Sequence, residues 1–494
     1  MSLAYLDPGN LEADLQQGAY TGYKILWVLF WCTALGLFLQ ILAARLGVTT
    51  GKDLASMCVD KKNGYSKPVA MALWVCTELA IVGSDVQEVV GSAIAFRILF
   101  GFPLYVGCLI TALDTFTFLG LHAFGVRKLE AFIAVLLCTM CVCFWFTFVM
   151  SKPSAGDILE GITVPRAESY MISQAVGTIG AVIMPHNLFL HSSLVLSRNV
   201  DRSSAKSVRT ANKYNAIECT FSLLFSFLVN MAVVGTYAAS FFNRECAVAD
   251  GGPYALVDGQ CQTIGLSQTQ EALSSSLGAS AKYVWAFGLL AAGQASTMTG
   301  TFAGQIVMEG FLNWKVAAWK RLAVTRSIAL VPSMLVAIAT SNHENTSDSV
   351  DEWLNILQSV QLPFALLPLL YFTNSESVMG QFKNPPLVQL LGYVLGGVVI
   401  MTNFYLLVDF VIDPDSDTPN TVWFYCIAGV FGVLYVLFLY FVTRDDVARV
   451  RGELFGVSIE KNDGESHFVA LTDDEEEEEE KKKRKNKSNS VALV

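Results

Sequence analysis

Asp7 and Asn10 flank Pro8 and Gly9 in the stretch LDPGN, and Met184, Pro185 and His186 stand together in IMPHN. Asp7 offers a hard carboxylate and Asn10 a neutral amide oxygen, spaced so that both can face one point across an unwound turn. Met184 adds a soft thioether. Proline removes a backbone donor and disturbs the carbonyl one turn earlier, so the stretch near Ala181 frees a carbonyl oxygen. Oxygen donors alone suit magnesium or calcium, and a sulfur shifts preference toward softer transition metals. A methionine in a membrane helix is ordinarily packing. Beside Pro-His in a broken span matched by Asp-Pro-Gly-Asn, it reads as a ligand.

Around these stretches the chain has membrane composition. Of 494 residues, 53% are hydrophobic and 15% charged, and the mean hydropathy is +0.47. A soluble protein carries about a quarter charged residues. Apolar runs of roughly 20 residues, the length of a spanning helix, recur near 1–17, 23–45, 68–96, 103–121, 128–150, 170–196, 212–242, 282–312, 322–340, 350–372, 387–413 and 420–443. About twelve spans are expected, and a β-barrel, with alternating strands of about 10 residues, is excluded. The opening lacks the basic flank of a cleavable signal peptide.

The net charge of −10 is inflated by the C-terminal TDDEEEEEEKKKRKNKS, an acidic block beside a basic one. Such blocks read as a solvated, largely disordered cytosolic tail, here residues 446–494 following a transporter-like domain over 1–445. No nucleic-acid partner is expected. Most of the eleven cysteines, Cys219 among them, fall in apolar spans and read as small hydrophobes. Cys246 and Cys261 flank a polar loop and can form a disulfide if that loop lies outside the cytosol. Lys and Arg crowd one set of alternating loops, from Lys52 through Arg127, Arg198 and Arg202 to Lys320, which places those loops in the cytosol. The 243–281 loop is then outside, as is the sequon Asn345-Thr346-Ser347, a possible glycosylation site.

The two broken spans lie five spans apart. Interrupted helices at matching places in two halves point to a midplane substrate site between inverted repeats, here about 1–150 and 170–372, with extra helices at about 387–443. The third span carries Glu78, Asp85 and Glu88. Intramembrane carboxylates mark ion or proton routes, and Asp85 and Glu88 share a helix face. His186, an imidazole that ordinarily titrates near neutrality, joins them as a proton-pathway candidate. His191 reads equally well as structural. Arg326 is a candidate countercharge. Asn355, Gln358 and Gln361 in the tenth span either bond across helices or complete a metal shell.

At these residues the chain resembles the Nramp family of divalent metal transporters. DPGN, ELAIVGSDVQEVVGSAIA, GVRKLEAF, IMPHNLFLHSSLV, LAAGQASTMTGTFAGQIVMEGFLN, TRSIALVPS and LQSVQLPFALLP carry the likeness, over roughly residues 1–445. The resemblance implies an all-α, LeuT-like fold of two inverted five-helix repeats plus two helices. It implies transport of Mn²⁺ and Fe²⁺, with Cd²⁺, Co²⁺ or Zn²⁺, toward the cytosol and coupled to protons. It assigns metal ligation to Asp7, Asn10, Met184, the Ala181 carbonyl and, more loosely, Asn355. It assigns the proton pathway to Asp85, Glu88 and His186 with Arg326. Relatives proposed to carry magnesium or aluminium lack the methionine.

No enzyme motif is present, and no cofactor is expected beyond the metal carried as substrate. The expected setting is the plasma membrane or an endosomal, lysosomal or vacuolar membrane. A monomer suffices, and the oligomeric state stays open. Six residues precede Asp7, where family members carry an arm and an inner half-helix; the expectation is a truncated gene model or a lost inner gate. The competing readings are a non-transporting Nramp-like sensor and a LeuT-fold symporter of an organic substrate.

Overall fold

The computed structural model describes residues 5–123, 126–249, 252–313, 318–339, 345–412, 422–455, 457–462 and 465–470. Its long helices are α1 (Pro8–Thr21), α2 (Leu26–Thr50), α3 (Lys67–Phe100), α4 (Leu104–Ala123), α5 (Val126–Ser151), α6 (Ile172–Val182), α7 (Pro185–Leu194), α8 (Ala205–Phe241), α9 (Ala279–Leu312), α10 (Ala318–Ala339), α11 (Asn345–Gln361), α12 (Pro363–Thr373), α13 (Pro386–Ile412) and α14 (Val422–Phe455).

Among the described residues, seven helical stretches are long and apolar enough to cross a membrane. Other elements expected to span are shorter or more polar. Helix α1 has 14 residues and buries Glu12, Asp14, Gln16 and Gln17. Helix α9 is rich in Gly, Ala, Ser and Thr. Both are lined by protein, so their polar groups need not meet lipid. The outer faces of the bundle are apolar, with Leu113, Val142, Phe221, Leu387 and Met401 exposed. That arrangement suits a hydrocarbon solvent.

One core joins Leu11 and Leu15 of α1 to Tyr237 of α8 and Trp285 of α9. A second core joins α2, α7 and α12 through Leu46, Phe189 and Phe372. Helix α1 runs tightly along α8. A Cβ on Gly18 would lie 2.3 Å from the Val234 carbonyl oxygen, so a side chain there would force the helices apart.

The loop after α8 closes over α1. It carries a short hairpin, β1 (Ala255–Val257) with β2 (Gln260–Gln262), turned at Asp258 and Gly259 with φ of 50° and 79°. Two positive φ values suit an Asp-Gly turn. Cys246 and Cys261 are disulfide-bonded here, with Cα atoms 5.2 Å apart. The loop grips α1 through side chains. Glu12 Oε2 accepts from the Leu266 amide at 2.7 Å. The Tyr20 hydroxyl donates to the Ile264 carbonyl and accepts from its amide, both at 2.9 Å. Lys24 ties the same end to Glu168 at 2.8 Å and holds that carboxyl below its ordinary titration range. A depressed carboxylate contributes its stability above the unfolded value, near pH ~4, and loses it as pH falls through the folded one.

The tail departs from expectation. A largely disordered tail is expected from residue 446, yet α14 runs on to Phe455. Strands β3 (Val457–Asn462) and β4 (Glu465–Ala470) then pair antiparallel. The physical reason is local: VSIEKN and ESHFVA mix β-branched and aromatic residues with polar ones around Asp463-Gly464, a hairpin signal. The charged run beyond residue 470 lies outside the described residues.

Candidate cation site

The first break is built by the Asp-Pro-Gly-Asn order itself. Asp7 is extended, with φ −106° and ψ 171°, and caps α1 while Pro8 occupies the first turn. Proline is preorganised for that position and has no N–H to leave unpaired. Asp7 Oδ1 accepts from the Asn10 amide at 2.8 Å. Its Oδ2 accepts from Asn10 Nδ2 at 3.2 Å. Those bonds fix both side chains and turn the Asn10 Oδ1 away from them. That oxygen is buried with no hydrogen-bond partner. Orphaned buried acceptors are uncommon and call for an explanation; a bound cation is one.

The second break separates α6 from α7. An α-helical carbonyl at residue 181 would accept from the N–H of residue 185. Residue 185 is proline, so the Ala181 carbonyl has no such donor. Ile183 bonds back to Ile179 at 3.0 Å to close α6. Met184 then stands in extended conformation as the N-terminal cap of α7. Ala181 and Met184 are buried.

The two breaks meet at α11. A Cβ on Gly180 would lie 1.9 Å from the Asn355 carbonyl oxygen, so α6 and α11 touch backbone to backbone there. The Asn355 side chain reaches the other break, donating from Nδ2 to the Gly9 carbonyl at 3.2 Å. Asn355 thus links the Gly9 carbonyl at the start of α1 to Gly180 of α6, the residue before Ala181. Gly180→Ala is expected to lower stability by about 1–3 kcal/mol through overpacking. Gly177→Ala, where a Cβ meets nothing within 4 Å, is expected to be neutral or slightly stabilising. Thermal unfolding of the two purified variants checks the contrast.

Asn355 is hydrogen-bonded on both sides of its amide. Its Oδ1 accepts from Gln87 Nε2 at 2.9 Å, so the amide is occupied as a strut between α1, α3 and α11. Gln358 lies one turn on. It donates from Nε2 to Gln87 Oε1 at 2.8 Å, and its own Oε1 is buried without a partner. Gln358 Oε1 is wholly unpartnered, while Asn355 Oδ1, with one bond accepted, keeps a second lone pair. Gln87, the hub of this amide cluster, was not singled out in the sequence. Its signal was a glutamine between Asp85 and Glu88 in an apolar span.

Asp85 and Glu88 converge as their spacing required. A Cβ on Gly300 of α9 would lie 2.8 Å from Asp85 Oδ1 and 3.2 and 3.3 Å from the Glu88 carboxyl oxygens. A residue without a side chain leaves room there for both carboxyls. Both are buried. His186 is also buried, and its Nδ1 has no partner. Glu78, two turns before Asp85 on α3, accepts from Trp74 Nε1 at 3.1 Å. Arg326 belongs to α10, but its side chain lies outside the described residues. Asn345 begins α11, and its side chain too lies outside them. Asp14 was overlooked in the sequence. It sits two turns from Asp7 on α1, buried, with Oδ2 unpartnered.

A family model described as natural resistance-associated macrophage protein-like, or Nramp, matches residues 1–409. The chain belongs to the Nramp family. Among its relatives, "Metal transporter nramp1 homolog" of Dictyostelium discoideum is 50% identical over 413 residues, covering 83% of this chain and 73% of the relative. "Metal transporter Nramp3" of Arabidopsis thaliana is 48% identical over 415 residues, covering 83% and 78%. The crystal structure of the Eremococcus coleocola manganese transporter with an aromatic bis-isothiourea compound matches with a TM-score of 0.75 and 28% identity, over 91% of this chain and 93% of that one. The nucleobase-cation-symport-1 transporter Mhp1 matches at 13% identity with a TM-score of 0.54, a likeness of fold alone. The Nramp chain is accordingly all-α with a LeuT-like architecture.

Proposed function

We propose that this Nramp chain moves divalent transition metal ions, Mn²⁺ and Fe²⁺ foremost and Cd²⁺, Co²⁺ or Zn²⁺ besides, across a membrane toward the cytosol by alternating access. One observation carries the reading. Two helix breaks, one presenting a carboxylate and an orphaned amide oxygen and the other a freed carbonyl and a thioether, are tied together by Asn355. An organic-substrate symporter has no use for that donor set. Against a sensor reading, the family relatives are named metal transporters.

In this mechanism the ion binds at Asp7, Asn10, the Ala181 carbonyl and Met184, with Gln358 or a reoriented Asn355 closing the shell. Ligation favours deprotonated donors, so metal entry displaces protons. Asp85 and Glu88, gathered at Gly300, pass protons with His186, and Arg326 balances their charge. The halves 1–150 and 170–372 rock about the site. The loop after α8 bonds α1 at Glu12 and Tyr20, and every α1 residue is buried, which supports a conformation closed on the outer side.

The experiment is Mn²⁺ uptake into proteoliposomes with an internal pH indicator. Acidification inside that tracks Mn²⁺ entry supports the reading, and uptake without metal specificity contradicts it. Glu88→Gln keeps the shape and hydrogen bonding of the side chain and removes its proton exchange. It is expected to retain Mn²⁺ binding while cutting acid-stimulated uptake by about tenfold or more, within the range of a lost proton-transfer group.

A further inference from the structure

Cys219, which composition marks as a small hydrophobe, does something else in the fold. Its Sγ lies 3.3 Å from His191 Nε2. Both side chains are buried, at 1% and 6% exposure, and His191 Nδ1 has no partner. A buried thiol and imidazole set against each other in this way pair a soft sulfur with a borderline nitrogen donor. A tetrahedral ion bonded to sulfur at about 2.3 Å and nitrogen at about 2.05 Å holds those atoms about 3.6 Å apart. The observed gap falls within a few tenths of an ångström of that bite.

The pair also lies on a line from the main site. His191 is on α7, the helix that starts at Met184, about 10 Å farther along its axis at 1.5 Å per residue. On α8, Asn230 Nδ2 donates to the Tyr5 carbonyl at 3.1 Å, beside the first break. Cys219 stands three turns from Asn230 on the same face, and Asn215 one turn beyond it. Asn215 Nδ2 is buried and unpartnered. Its Oδ1 accepts from Arg198 Nη1 at 2.8 Å, and Arg198 also pairs with Glu218. Buried polar groups thus run from the breaks toward the basic loop after α7.

We propose that Cys219 and His191 form a second metal site, a waypoint for soft divalent cations between the Asp7–Met184 site and the cytosolic face. Binding replaces the Cys219 S–H bond by a metal–sulfur bond and releases that proton to water, while the neutral imidazole gives the Nε2 lone pair. The inference builds on the main-site assignment, so its test removes that site first.

The purified full chain carrying Asp7→Ala and Met184→Ala is titrated with Cd²⁺, following the ultraviolet thiolate-to-cadmium charge-transfer band. The band is expected to persist there and to be lost on adding Cys219→Ser. Adding His191→Gln instead is expected to weaken Cd²⁺ binding roughly tenfold or more. If Cys219→Ser does not fold, His191→Gln carries the test alone. A band absent from the parent, or unchanged in affinity and intensity in the variant, overturns the site. Failure of the main site shows separately, as unaltered Mn²⁺ binding in the parent variant.

Discussion

Replacing Asp7 by alanine is expected to lower Mn²⁺ uptake by roughly 100-fold or more. Loss of groups that merely orient a ligand costs 10–100-fold in metal affinity, and Asp7 is the charged donor itself. Alanine has a second effect, because Asp7 also caps α1 through the Asn10 amide. Loss of a cap costs about 0.5–2 kcal/mol. Asp7→Asn separates the two effects. The amide oxygen can still accept from the Asn10 N–H, so the cap survives while the negative charge is gone. Transport is expected to fall nearly as far in Asp7→Asn as in Asp7→Ala, with the unfolding temperature much closer to that of the unaltered chain. Radiolabelled Mn²⁺ uptake and thermal unfolding, run on both variants, read the two consequences independently. Normal uptake by Asp7→Asn would remove the carboxylate from the site.

Met184→Ala is expected to change which ion is carried more than whether one is carried. Calcium is a hard cation satisfied by oxygen, and a thioether gains it little. Manganese and softer ions accept sulfur more readily. Loss of the thioether is expected to shrink the preference for Mn²⁺ over Ca²⁺ by about 10- to 100-fold, which is about 1.4–2.7 kcal/mol. Met184 is buried, so alanine also opens a cavity, and buried Met→Ala changes cost about 2–5 kcal/mol. Met184→Leu keeps the volume and removes the sulfur, a swap that usually costs under about 1.5 kcal/mol. The same loss of preference is expected from it. Competition of Ca²⁺ against Mn²⁺ uptake checks both variants, and a preference retained by Met184→Leu assigns the methionine to packing.

Much of the site was legible because its causes are local. Pro8 and Pro185 stand where helices begin, a position proline favours, and the spacing of Asp85 and Glu88 decides their common face before any tertiary contact forms. Cys246 and Cys261 follow the same logic, bracketing a loop too polar to enter the bilayer. What could not be read depends on contacts across the chain. Asn355 meets Gly9 across 346 positions of sequence, and nothing near either residue states that the amide is used as a strut. Gln87 is invisible as a hub until α1 and α11 both reach it. Cys219 resembles every other cysteine in an apolar span until His191, 28 positions away, is set against its sulfur. Composition misled at the tail, where the charged blocks drew attention from the alternating VSIEKN and ESHFVA segments just before them.

The central claim is that one ion is held jointly by the two helix breaks. X-ray absorption at the manganese edge of the Mn²⁺-loaded protein tests it most directly. The account predicts a shell of oxygen donors with one sulfur, and loss of that sulfur in Met184→Leu with the oxygens retained. A shell of oxygen and nitrogen alone, identical in the unaltered chain and in Met184→Leu, would contradict it.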